Sequence, residues 1–203
     1  MANADRPSGF SPVGYLNGAA WNGQANVYSI DAAYGTALYI GDPVKSGGGA
    51  DTNGVANIVI GSTTGGLRGV IVGLGKYESL QANPSNLDII YRPASDPAVW
   101  YALVADDPNL VFEVQEESNG TQLAATEVGL NTISKSGTGN GYVSGWMIPS
   151  VTGATPGTTA TLQLKLLGLS RYVGGLNAFG AYAKWRVQIN VHELGHGTGS
   201  LGV

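Results

Sequence analysis

The chain has 203 residues, of which 43% are hydrophobic and none is cysteine, so it can bury a core but has no disulfide framework, thiolate nucleophile or zinc ribbon. Only 12% of residues are charged while 32 are glycine, a composition that excludes a helical bundle or coiled coil. Ten basic residues stand singly against 14 acidic ones, without the basic cluster that a nucleic-acid backbone requires, and the apolar runs fall well short of the roughly 20 residues of a membrane helix.

In chain order, the first seven residues carry neither the basic nor the apolar region of a secretory signal, so synthesis in the cytosol without export is expected. Residues 1–24 combine Pro7 and Pro12 with Phe10, Tyr15, Leu16 and Trp21. They read as an extended N-terminal arm, because large apolar groups on an extended segment pack on something, either a neighbouring subunit or the chain's own body. Phe10, Tyr15 and Trp21 are its candidate interaction residues.

Residues 25–194 read as one all-β domain, a β-barrel or β-sandwich. Asn-Gly pairs at Asn17, Asn22, Asn53, Asn119 and Asn140 supply the positive φ of tight turns. Between them, apolar or alternating segments predict strands at 27–30, 37–40, 55–60, 67–74, 87–91, 99–105, 110–115, 161–169 and 184–192. The segment 99–104 is apolar on both faces, as a central strand is. In 67–77 a strict two-residue period puts Gly69, Gly73 and Gly75 on one face with Ile71, leaving room for another layer or subunit. Residues 45–54 and 134–145 read as surface loops. Residues 121–131 are the one helical candidate, with Thr121 as cap and Leu123 and Val128 facing inward. Residues 195–203, with four glycines, read as a flexible tail.

His192-Glu193-Leu194-Gly195-His196 matches the H-E-x-x-H of zinc peptidases. That chemistry needs a helix, because only one helical turn brings both imidazoles to one metal. Here Trp185, Val187, Ile189 and Val191 alternate with polar residues up to His192. At about 3.3 Å per residue, an extended chain holds residues four apart about 13 Å from each other. Gly195, Gly197 and Gly199 oppose a later helix start, and Gly202 stands where a third metzincin histidine belongs. The expectation is a strand-end histidine, no metal, no cofactor and no catalytic residues.

Other motifs carry less. Residues 61–66 lack the lysine of a phosphate loop. Asp106, Asp107, Glu113, Glu116 and Glu117 read as solvated surface, and the Asp-Pro pairs at Asp42, Asp96 and Asp107 as turn chemistry. Trp100 and Trp185 fall at core positions, which weakens a reading of the four tryptophans as a sugar-binding face.

Three stretches agree with one protein group. Residues 4–13, ADRPSGFSPV, resemble the opening of head decoration (cement) proteins of tailed bacteriophages. Residues 106–115, DDPNLVFEVQ, followed by 124–131, AATEVGLN, resemble the group's central segment, and 187–193, VQINVHE, its closing strand. The glycine-rich tail lies outside the resemblance. The resemblance implies a non-enzymatic β-barrel or β-sandwich knob, commonly a homotrimer, on the outer surface of the virion, where it binds the major capsid protein and links neighbouring coat subunits. A tail or fibre component is the nearest alternative, then a carbohydrate-binding β-sandwich, then the zinc peptidase.

Overall fold

The computed structural model describes residues 3–76, 89–137, 139–171, 176–195, 199 and 201–202. Its strands are β1 (Ser11–Tyr15), β2 (Asn26–Ile30), β3 (Leu38–Tyr39), β4 (Pro43–Ala50), β5 (Ala56–Ile60), β6 (Gly69–Lys76), β7 (Tyr91–Arg92), β8 (Trp100–Ala105), β9 (Leu110–Gln115), β10 (Asn131–Thr132), β11 (Leu164–Leu169) and β12 (Lys184–Ile189). The fold is all-β. Five strands close into a barrel in the order β2-β5-β4-β6-β8, five more form a sheet in the order β1-β9-β12-β11-β10, and β3 and β7 make a small ribbon.

Strand β12 shows how sequence dictates this arrangement. Trp185, Val187 and Ile189 turn into the core while Lys184, Arg186 and Gln188 face outward. Beside β12 in the same sheet, the antiparallel β9 sets Val114 opposite Trp185 and Phe112 opposite Val187. The barrel has its own core that includes Tyr28, Ile30, Leu38, Val44, Ile58, Ile71, Leu74 and Trp100, and β8 closes it by pairing with both β2 and β6. Ile60 packs against both cores, and Leu67, Val70 and Ala105 at one barrel end belong to the sheet's core, so apolar packing is continuous between the two parts.

Several expectations change. The N-terminal arm contains a sheet strand: β1 pairs antiparallel with β9, and Phe10 beside it is 2% exposed within the sheet's core. Phe10 is therefore a core residue and offers no surface to a neighbour, while Tyr15 and Trp21 are half-buried against the same core. Residues 45–54 are not simply a loop. Strand β4 runs into them and pairs with β5, and the glycines sit in a register shift between Ser46 and Ala50, where Gly48 and Gly49 adopt positive φ. In β6 a bulge between Ile71 and Gly73 breaks the two-residue period. Leu74, not Gly73, joins Ile71 in the barrel core, and the Leu103 side chain lies over Gly73 on the other face.

The helical candidate reduces to a 3-10 turn at Ala125–Glu127. Glu127 accepts a hydrogen bond from Ala124 N–H at 2.6 Å, Thr121 caps nothing, and Val128 is 39% exposed instead of inward; Leu123 is buried as expected. The tail is packed where it is described. Gly202 N–H donates to Thr158 O, and Lys165 Nζ donates to Leu201 O at 2.6 Å. A Cβ on Gly199 would lie 2.2 Å from Ala160 O, so this glycine serves close backbone approach, not flexibility.

Candidate functional site

The H-E-x-x-H segment lies where the end of β12 meets the barrel. Leu67 N–H donates to Val191 O and Glu193 N–H to Leu67 O, a parallel bridge pairing Leu67 with His192. His192 stands at that bridge, Glu193 and Leu194 in a turn and Gly195 in a bend, and none of the four is helical. His196 and Gly197 lie outside the described residues. Glu193 is engaged away from any water-activating role: its carboxylate pairs with Arg68 Nε at 2.9 Å and accepts from Ser46 N–H.

The His192 ring is 3% exposed, and its Nδ1 accepts a hydrogen bond from Leu194 N–H at 3.0 Å. A neutral imidazole accepting through Nδ1 carries its proton on Nε2, so that nitrogen has no lone pair for a metal. Nε2 is itself buried and without a hydrogen-bond partner. Burial is the main cause that lowers the ring's pKa, aided by Arg68, with Asp106, Glu193 and Asp107 pulling the other way. Among the described residues no cluster of three or more His, Asp or Glu side chains could hold a metal ion. Neither the conformation of residues 192–195 nor the His192 tautomer is that of a metal-binding H-E-x-x-H helix.

The carboxylates read from sequence as solvated surface divide differently. Glu116 is fully buried, with Oε1 accepting from Leu123 N–H at 2.7 Å and Oε2 from Trp185 Nε1 at 2.9 Å. Burial pushes its pKa up to about 7 against the opposing effect of those two donors. Glu117 is buried and accepts from Ser150 N–H and Lys135 Nζ. Asp106 is buried too, holding Asn26 and Tyr28. Glu113 is half-buried opposite Arg186, and Asp107 remains exposed, accepting from Asn109 N–H as a turn former. Glu116 and Glu117 satisfy N–H donors of irregular chain at Leu123 and Ser150, and Asp106 satisfies side-chain donors on β2, partners that local sequence does not reveal because they lie 7 to 80 residues away. Asp42 and Asp96 likewise accept from Tyr39 N–H and Ala98 N–H, and burial raises the Asp42 pKa to about 6.

Comparison of the chain with protein-family models, curated proteins and solved structures finds no match.

The remaining candidate site is surface. Among the described residues, eleven large apolar side chains stand exposed, including Val13 and Leu16 on β1 and the turn after it, and Leu176 and Phe179 in the connection from β11 to β12. The described part of that connection, 176–183, is tied down by hydrogen bonds. Asn177 donates to Ser170 O and Lys184 O and accepts from Lys184 N–H, while Asn3 donates to Ala178 O and Ala181 O. Phe179, 46% exposed, tilts against the buried Trp185 with ring centroids 5.6 Å apart. Sequence reasoning chose the aromatics of residues 1–24 and missed Leu176 and Phe179; their apolar run without charge was the available signal.

Proposed function

We propose that this protein is a non-enzymatic structural component of a bacteriophage virion, a decoration protein that binds the outer surface of the capsid as a homotrimer and links neighbouring coat subunits. The observation that carries the reading, beside the three resembling sequence stretches, is apolar side chains presented on hydrogen-bonded loops, Leu176 and Phe179 foremost. Contacts of this kind lose less conformational entropy on binding where hydrogen bonds already hold the backbone, as they do at Asn177 and Ala178. Small patches suffice when an oligomer carries several, since later contacts become effectively intramolecular. The groups most able to do chemistry, Glu116, Glu117, Glu193 and His192, are engaged in holding the fold. Tyr15 and Trp21, half-buried at the β1 edge, remain candidate contacts; Phe10 does not.

The test is co-sedimentation of the purified protein with expanded capsids lacking it, followed by heating. Saturable binding and raised heat resistance of the shells are expected, and replacing Leu176 and Phe179 together by Ser is expected to weaken binding at least tenfold. Absence of binding by the unmodified protein contradicts the proposal.

A further inference from the structure

Asp42 is a carboxylate taken out of water without a cation. Its side chain is on a residue only 2% exposed, and none of the ion pairs formed among the described residues includes it. Oδ2 accepts from Tyr39 N–H at 2.9 Å, and the Ser144 hydroxyl is a second favourable neighbour. Burial outweighs both and raises the pKa to about 6, so at neutral pH the group is an anion without a counter-charge. Buried charges are ordinarily paired, and an unpaired one in a cleft marks a candidate site.

Asp42 lines a hollow of about 560 Å³ between β3, residues 60–63 at the end of β5 and the segment that leads to Trp146. Among the described residues of that lining Asp42 is the only charged group, the Tyr39 phenol is the only other ionisable one, and no Lys, Arg, His, Asn or Gln side chain is present. The walls beside it are aromatic, from Tyr39 and Trp146, and hydroxylic, from Thr36, Ser62 and Thr63. Tyr39 is braced by stacking on Tyr91, with ring centroids 5.5 Å apart and 15° between the planes. The Ser62 hydroxyl donates to Thr64 O, so it has only lone pairs to offer another group. A negative, acceptor-rich and aromatic lining is complementary to an organic cation. A calcium ion would need six or more oxygen ligands, commonly from several carboxylates, and among the described residues no cluster of three or more His, Asp or Glu side chains exists.

We propose that this hollow binds a guanidinium group, with Asp42 as its counter-ion and the Tyr39 and Trp146 rings as its flanks. A guanidinium is flat, weakly hydrated and able to donate to several acceptors while lying against an aromatic ring, whereas an ammonium is compact and strongly hydrated. The same fold already holds one guanidinium in this way: Arg92 donates to backbone carbonyls with its Cζ 5.8 Å from the Tyr34 ring centroid. The group is that of a free small molecule or of an arginine side chain on another chain. Binding requires Asp42 in its ionised form, so affinity is full above about pH 6 and falls about tenfold between pH 7.5 and pH 5.

The test is NMR titration of the full chain at constant ionic strength, read at the Tyr39 amide and the Trp146 indole, with ethylguanidinium, N-acetylarginine amide, propylammonium and the neutral isostere N-ethylurea. Saturable shifts are expected with the two guanidinium compounds at pH 7.5, and the tighter of the two names the source of the group. Affinity is expected to fall about tenfold at pH 5 and to be lost in Asp42→Asn, whose Oδ1 can still accept from Tyr39 N–H and so keeps the turn. No saturable shift with either guanidinium compound, equal binding of N-ethylurea, tighter binding of propylammonium, or undiminished binding by Asp42→Asn overturns the proposal. Should that variant not fold, the wild type decides through the pH dependence and the neutral isostere.

Discussion

The barrel and the five-stranded sheet fix their irregular connections with opposite charges. At the barrel, Arg92 at the end of β7 is fully buried, and its guanidinium donates to six backbone carbonyls, of Asp31, Ala32, Tyr34, Thr36, Pro93 and Asp96, at 2.9 to 3.5 Å. At the sheet, Glu116 and Glu117 just beyond β9 do the reverse, accepting from the N–H groups of Leu123 and Ser150 and from the Trp185 indole. A carbonyl-lined hole needs a donor-rich cation, and a hole lined by N–H groups needs an acceptor-rich anion. The difference has a consequence for pH. Burial lowers the Arg92 pKa, yet a guanidinium keeps its proton throughout the accessible range, whereas Glu116 changes charge near neutrality.

The largest effect is expected from removing the cation. Arg92→Met leaves several buried carbonyls unpaired and is expected to cost more than about 3 kcal/mol in urea unfolding, with Arg92→Lys only partly better because an ammonium cannot span six acceptors. A cost below about 1 kcal/mol would erase the comparison. Next, Phe10→Ala is expected to cost about 3 kcal/mol, the range for a buried aromatic truncated in a core. The same reasoning means that deleting residues 1–24 unfolds the sheet, where an independent arm would be dispensable.

The pH dependence sharpens the contrast. The folded Glu116 pKa lies above its ordinary 4.5, so the folded state holds the proton more tightly, and the stabilisation is complete below 4.5 and lost as pH rises through about 7. The loss is on the order of 3 kcal/mol. Asp42 adds a loss of the same sign up to about pH 6, whereas His192, with its lowered pKa, loses stability as pH falls below 6.5. Glu116→Gln is expected to flatten the decline between pH 4.5 and 7 in chemical denaturation, leaving the portion due to Asp42, which ends near pH 6. An unchanged decline would show that Glu116 is not its source. The smallest stability effect, about 1 kcal/mol, is expected from Leu176→Ser with Phe179→Ser, since both are about half exposed and only the Phe179 contact with Trp185 is lost from the core side; their main consequence belongs to binding.

Local patterning made the strands legible. The alternation at β12, the doubly apolar β8 and the run at β9 each appear in the sequence as they lie in the sheets. What stayed hidden was long-range. The β4 strand was masked by its glycines, the parity of β6 by a bulge, and the burial of Glu116, Glu117 and Asp106 by partners between 7 and 80 residues away. The H-E-x-x-H spacing likewise does not give its own conformation: the strand context, present in the alternation before His192, announces the bridge at His192, and a turn follows at 193–194.

The central claim, adhesion to a capsid exterior, is tested most directly by locating the protein on intact particles by electron cryo-microscopy. The account predicts copies on the outer face of the head, seated where coat subunits meet and grouped in threes. Copies confined to the tail, or their absence from the particle, would contradict it.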